Sequence, residues 1–346
     1  MPTATPDLPR TRGNGCRQEV GARVPAAFRP AWWCRNPHLQ TLWPMLARHH
    51  LRPRFSRQRL ELPDGDFLDL DWTGPEDSGR PLVLVLHGLE GSSQSHYVRG
   101  LCSVLSSAGF RSCVMHYRGC SGDINRLPHT YHAGETGDPD FVIDWLRHHY
   151  PEVALFAAGF SLGGNMLLKL LGEQADSSVL SGAAAVSVPF DLASCAKRLE
   201  KGASRIYQHW LVGEMKKTAR QKATQYPRHL DIKRLLETTT FREFDELGTA
   251  PLHGFAGADD YYAKDSCRQY LPQITTRTLI VQSYDDPFMG AEQIPEEHEL
   301  GPGVQLELAA RGGHLGFVAG PLPWCTEYWL ERRLTVFFTH LTGKCN

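Results

Sequence analysis

The stretch VALFAAGFSLGGNMLLKLL, residues 153–171, decides the fold. Val153 to Ala158 is apolar without alternation, as expected of a strand buried on both faces. Leu162 to Leu171 is an apolar run long enough for a helix. Between them stands Gly159-Phe160-Ser161-Leu162-Gly163, a G-x-S-x-G pentapeptide. Strand, tight turn and helix together form the context a nucleophile elbow requires. The turn lifts the serine hydroxyl clear of the sheet. Only small residues fit two positions before and after it, because strand and helix approach closely there. Gly164 suits the same crowding. Outside this context Ser161 would be an ordinary helix N-cap.

The pattern repeats on either side. Leu82–Leu86, Ser112–Tyr117, Val179–Val188, Thr278–Gln282 and Val304–Leu308 read as strands. Tyr97–Ala108, closed by Gly109, and Asp138–Tyr150, stopped by Pro151, read as helices, with a last helix over 323–342. Residues 58–72 alternate apolar and polar around Pro63-Asp64-Gly65, a β-hairpin entering the sheet. Strands alternating with helices predict a mostly parallel central sheet with helices on both faces. Residues 190–275 are too long for an ordinary connection and are helical in pattern. They are expected to form a helical cap inserted above the sheet. Residues 1–25 are rich in Pro, Gly and Arg and read as a disordered basic tail, leaving 26–346 as one domain.

Composition narrows the class. The chain has 346 residues, 41% hydrophobic and 22% charged, with no apolar run of membrane-spanning length and no secretory h-region in its first residues. A cytoplasmic location is expected. Nine scattered cysteines without a C-x-x-C pair argue against a zinc ribbon or redox motif. No metal-ligand spacing and no nucleotide-binding loop is present, so neither cofactor nor metal is expected, nor a nucleic-acid partner. Charge is unevenly spread. Eleven arginines against two acids give residues 1–60 a charge of +9; the whole chain carries −1, so the remainder carries −10. With Trp32, Trp33 and Trp43, this arginine-rich region is a candidate for peripheral contact with an anionic membrane. The plainer reading is a tail followed by a strap packed on the domain.

A serine nucleophile needs a base, and position chooses among 16 histidines. His314 lies in a glycine-rich loop, Arg311-Gly312-Gly313-His314, after the last predicted strand and before the last helix. The acid belongs to the loop after the preceding strand, Ser283-Tyr284-Asp285-Asp286-Pro287-Phe288. Asp285 is the choice, a short turn past the strand end. Asp286 precedes proline and is expected to shape the loop. The order Ser161, Asp285, His314 is that of a hydrolase triad on an α/β sheet. Oxyanion donors are expected from the Leu162 backbone, at a helix N-terminus, and from Leu89 in His87-Gly88-Leu89-Glu90-Gly91. His87 is expected to orient that loop. Glu135 is a candidate ion-pair partner for Arg118 at the same end of the sheet. Tyr207, Trp210, Tyr261 and Tyr262 are expected to line an apolar acyl pocket in the cap.

Several motifs together carry a resemblance: NPHLQT at 36–41, HGLEGSS at 87–93, YRGCSGDINR at 117–126, YHAGET at 131–136, GFSLGGN at 159–165 and DDPF at 285–288. Over about residues 30–340 the chain resembles the YheT-like esterases, a branch of the α/β-hydrolase superfamily. That branch includes hydrolases of medium-chain esters and phospholipids. The resemblance implies the α/β-hydrolase fold, the triad Ser161, Asp285 and His314, and hydrolysis of a carboxylic ester through an acyl-enzyme. The substrate would be a small-molecule or lipid ester with a short- to medium-chain acyl group. An acyltransferase on the same fold, or a catalytically silent binding protein, are the alternatives.

Overall fold

The computed structural model describes residues 21–48, 50–75, 77, 79–227 and 231–343. The described chain opens with strand β1 (Ala22–Pro25), helix α1 (Pro37–Ala47) and the hairpin β2 (Ser56–Glu61) and β3 (Phe67–Thr73). Then strands and helices alternate: β4 (Leu82–Leu86), α2 (His96–Ser107), β5 (Arg111–His116), α3 (Gly137–His149), β6 (Leu155–Phe160), α4 (Leu162–Gln174) and β7 (Gly182–Val186). Six helices follow before the sheet resumes: α5 (Leu192–Leu199), α6 (Ser204–Gln225), α7 (Ile232–Glu237), α8 (Phe241–Phe244), α9 (Ala250–Leu252) and α10 (Ala258–Asp265). Strands β8 (Thr278–Ser283) and β9 (Val304–Ala309) complete the sheet. A small hairpin, β10 (Val318–Leu322) and β11 (Cys325–Tyr328), precedes the last helix α11 (Trp329–Leu341).

The nine strands run in the order β1-β9-β8-β7-β6-β4-β5-β3-β2. Strand β3 pairs antiparallel with both its neighbours, and the other pairings are parallel. The continuous apolar runs have the cause the sequence suggests. In β4, Leu82, Leu84 and Leu86 pack on one side with Val142, Ile143 and Leu146 of α3 and with Leu167 of α4. Val83 and Val85 pack on the other side with Leu101 and Leu105 of α2 and with Leu334 and Phe338 of α11. Truncating one such leucine to alanine costs about 2–5 kcal/mol, because a close-packed interior relaxes only in part.

Two readings need correction. Residues 22–25, assigned to the tail, form β1, which pairs in parallel with β9 from Ala22 opposite Gln305 to Pro25 opposite Leu308. A four-residue strand containing arginine has no periodicity of its own; the exposed edge of β9 makes it a strand. The rest of the proposed tail, residues 1–20, lies outside the described residues. The last helix is shorter than 323–342, because Pro321 and Pro323 favour the β10–β11 hairpin and the helix begins only at Trp329. Among the described residues no helix is long and apolar enough to cross a membrane.

Candidate functional site

Ser161 stands at the C-terminal end of β6 with φ +52° and ψ −118°, a conformation L-residues rarely adopt. Its amide donates to Val186 O at 2.9 Å, and its carbonyl accepts from the Gly164 and Asn165 amides, which starts α4. The glycines are steric requirements. A Cβ on Gly159 would collide with the Gly163 carbonyl, and one on Gly163 with the Leu86 and His87 carbonyls. A Cβ on Gly164 would lie 2.8 Å from Val188 Cγ2. The elbow therefore leaves no room for a side chain at these three positions.

His314 Nε2 lies 3.0 Å from Ser161 Oγ. The histidine loop is pinned at each residue. Ser283 Oγ donates to Gly313 O at 2.8 Å, the His314 amide donates to Thr41 Oγ1 at 3.0 Å, and the Leu315 amide donates to Ser187 Oγ at 3.1 Å. Phe288 stacks on the imidazole with ring centroids 4.0 Å apart.

The acid on His314 is Asp286, not Asp285. Asp286 Oδ2 lies 2.9 Å from His314 Nδ1, and its Oδ1 accepts the Phe288 amide at 2.8 Å. Asp285 Oδ1 instead accepts the Gly312 and Gly313 amides, at 2.8 and 3.0 Å. Only one of the two carboxylates reaches the ring, and the other is taken up by the loop amides. Burial pushes the Asp286 carboxyl above its usual range, while the adjacent His314 acts in the opposite sense. Thus one aspartate holds the imidazole and the other holds the loop that carries it.

The Leu162 amide lies at the N-terminus of α4, beside Ser161, and Leu89 stands in the loop after β4. Among the described residues neither amide is used in a hydrogen bond within the protein, leaving both available to an oxyanion. The loop is braced as expected. Burial holds the His87 imidazole down at about 3, hence neutral, with Nδ1 donating to Gly88 O at 2.7 Å. Tyr97 Oη accepts the Gly88 amide at 2.8 Å.

Glu90 has a placement the sequence reading did not assign. Its φ is +52° and its amide donates to Tyr131 Oη at 2.8 Å. Tyr131 returns its hydroxyl to Oε1 at 2.9 Å, and Thr218 of α6 donates to Oε2 at 2.6 Å. Desolvation raises the Glu90 carboxyl above its ordinary range, with the Thr218 and Tyr131 hydroxyls acting against it. A single side chain thus joins the loop bearing Leu89 to the cap.

A cavity enclosing about 1190 Å³, part of it open to solvent, lies above Ser161 and is lined mostly by apolar side chains of the cap. Tyr261 and Tyr262 line it. Trp210 is exposed instead, and Tyr207 is buried against Phe288 and His38. Asp245 lies in the cavity wall on a π-helical turn, Asp245–Thr249, accepting from Thr249 Oγ1 at 2.6 Å and Tyr262 Oη at 2.7 Å. Burial raises its carboxyl to about 6. Nothing in a helix-patterned sequence marks this carboxylate.

Arg118 does not pair with Glu135. It forms a two-pronged ion pair with Asp138, at 2.8 and 2.7 Å, and reaches Asp64 at 2.6 Å. Glu135 faces His132, which also bonds Asp265 at 2.6 Å. Burial disfavours the imidazolium, but these two carboxylates hold His132 up at about 9. Asn165 of α4 donates to Ala133 O and Asp265 O and accepts the Cys267 amide, fastening the end of the cap to the elbow helix.

Residues 81–321 match the profile of the alpha/beta hydrolase fold family. The chain belongs to that family. YheT of Escherichia coli (strain K12) is 42% identical over 318 residues, covering 91% of this chain and 93% of that one. Phospholipase ABHD3 of Bos taurus is 29% identical, covering 88% of this chain and 76% of its own length. Among solved structures, the Pyrococcus furiosus esterase Pf2001 has a TM-score of 0.55 at 15% identity, covering 85% of this chain and 92% of that one, which bears on the fold alone. In the chain itself the motifs quoted from the sequence fall on the contacts that hold the site. The 36–41 motif supplies Thr41, the 131–136 motif Tyr131 and His132, and the 159–165 motif Asn165.

Proposed function

We propose that the protein hydrolyses carboxylic esters with Ser161 as nucleophile, His314 as general base and acid, and Asp286 as the residue that orients and stabilises the imidazolium. The observation that carries this reading is the continuous relay Asp286–His314–Ser161, at 2.9 and 3.0 Å, on an elbow strained at the serine. His314 Nε2 takes the hydroxyl proton as Ser161 Oγ attacks the ester carbonyl. The Leu89 and Leu162 amides receive the oxyanion, and the alcohol leaves with the proton from His314. Water then attacks the acyl-enzyme by the same route and frees the acid. Phe288, flat on the imidazole, limits its exchange with bulk water.

The apolar cavity supports an acyl chain of short to medium length, and a lipid ester fits its lining. The phospholipase name of one relative points the same way. The test is hydrolysis of p-nitrophenyl esters from acetate to palmitate by wild type and Ser161→Ala. Activity should peak at one chain length and fall by about 10⁴-fold or more in the variant. Folded protein that neither turns over any ester nor labels at Ser161 with a fluorophosphonate would overturn the reading.

A further inference from the structure

Helix α1 is built inside out. Its buried side chains are Gln40, Thr41 and Pro44, while Leu39, Leu42 and Met45, three residues apart on one face, are exposed. The inward polar groups are fully used. Gln40 donates to Cys34 O and Val318 O and accepts the Val318 amide, and Thr41 accepts the His314 amide. Packing against the domain therefore does not explain why the outward face is apolar.

The exposed face extends beyond the helix. Trp32, 67% exposed, donates its indole N–H to Pro321 O at 2.8 Å, tying the strap to the β10–β11 hairpin, whose tip carries Trp324, 81% exposed. On the other side His38 of α1 stacks on Tyr207 of α6, beside the exposed Ile206 and Trp210. Nine of the twelve large apolar side chains exposed among the described residues lie on these linked pieces, so this is a patch rather than scatter. Its charge is mostly of one sign, and the exposed Glu327 of β11 is already paired with Arg332. Residues 20–60 contain no acid, and Arg29, Arg35 and Arg205 are exposed. Among the described residues none of these three arginines forms an ion pair.

We propose that this face docks the protein on an anionic lipid bilayer, with Trp32, Leu42, Met45 and Trp324 among the headgroups and acyl ends and the arginines on lipid phosphates. Apolar residues with indoles, rimmed by arginines that no acid pairs, match such a surface. A second copy would bring arginines against arginines. Docking is independent of the ester reading, although its use, delivering lipid esters to Ser161, rests on that reading.

The test is co-sedimentation of the full chain with phosphatidylcholine vesicles, with and without phosphatidylglycerol. Binding should need the anionic lipid and weaken with salt. Leu42→Glu with Met45→Glu should reduce it about tenfold or more while p-nitrophenyl butyrate turnover stays at the wild-type level. Trp324→Ala, on a hairpin tip, checks the same face should the double variant fold poorly. Ser161→Ala should bind like wild type, which separates docking from catalysis. The proposal is overturned if wild type ignores anionic vesicles or if folded variants bind as it does. It is also overturned if the face proves to hold a dimer or a protein partner and no lipid.

Discussion

The floor and the roof of the cavity are built on different principles. On the floor, Ser161, the Leu89 loop and the 312–315 loop are set by backbone: positive φ, glycines that admit no Cβ and, in the 312–315 loop, an acceptor for each amide. The roof, α5 to α10, is set by side chains, mostly apolar, with a few isolated polar groups such as Asp245. Backbone geometry cannot be re-tuned without breaking it, whereas an apolar wall can change shape one residue at a time. The floor therefore suits chemistry and the roof suits selection among substrates.

The largest effect is expected on the floor, between two adjacent aspartates. Asp286→Asn should lower kcat by about 10⁴-fold with little change in KM, because it leaves the imidazole without the partner that fixes its tautomer. Asp285→Ala removes the acceptor of two loop amides and should cost about 1–3 kcal/mol in denaturant stability. Its kcat should stay within about tenfold unless the loop shifts His314. Kinetics and urea melts of both variants read the two effects separately. If Asp285 proves the kinetically critical residue, the assignment made from the structure is wrong.

A smaller effect is expected where floor meets roof. Glu90→Ala cuts the tie from the Leu89 loop to Thr218 of the cap and should lower kcat about tenfold to a hundredfold, since oxyanion donors act only when well placed. Glu90→Gln can accept from Tyr131 and donate to the Thr218 hydroxyl, so it should retain most activity. A loss confined to KM would make Glu90 a substrate contact instead of a positioning residue.

The same contrast explains what was legible in the sequence. Ser161 and its glycines were readable because a strained turn restricts residue types within five positions. His314 was readable from chain order and its flanking glycines. The carboxylate beside His314 was missed by one residue: loop length suggested Asp285, but Asp285 is turned to the Gly312 and Gly313 amides and Asp286 reaches the ring. Thr41, which holds His314 from 273 residues away, and Gln40, which holds Val318 from 278 residues away, have no local signature and appear only as part of a motif. In the cap, helical periodicity announced helices and nothing of the site. The aromatic residues chosen there divide accordingly, Tyr261 and Tyr262 facing the cavity and Trp210 facing out.

The smallest expected effect tests Asp245, the carboxyl of the roof that lines the cavity. Burial raises Asp245 from 3.8 to about 6, against the opposing hydroxyls of Thr249 and Tyr262. The folded state then binds this proton more tightly than the unfolded state does. Asp245 leaves stability intact below about pH 4 and lowers it as pH rises through 6, after which the loss is constant. Asp245→Asn abolishes that titration. Its stability relative to wild type, from urea melts, should grow between about pH 4 and pH 6 and level off above, reaching about 1–3 kcal/mol. A variant less stable than wild type at pH 7 would mean that an ionised Asp245 is well served by its two hydroxyl donors. The roof would then hold a fixed negative charge within the cavity, and esters with a polar or cationic group on the acyl side would be the ones it selects.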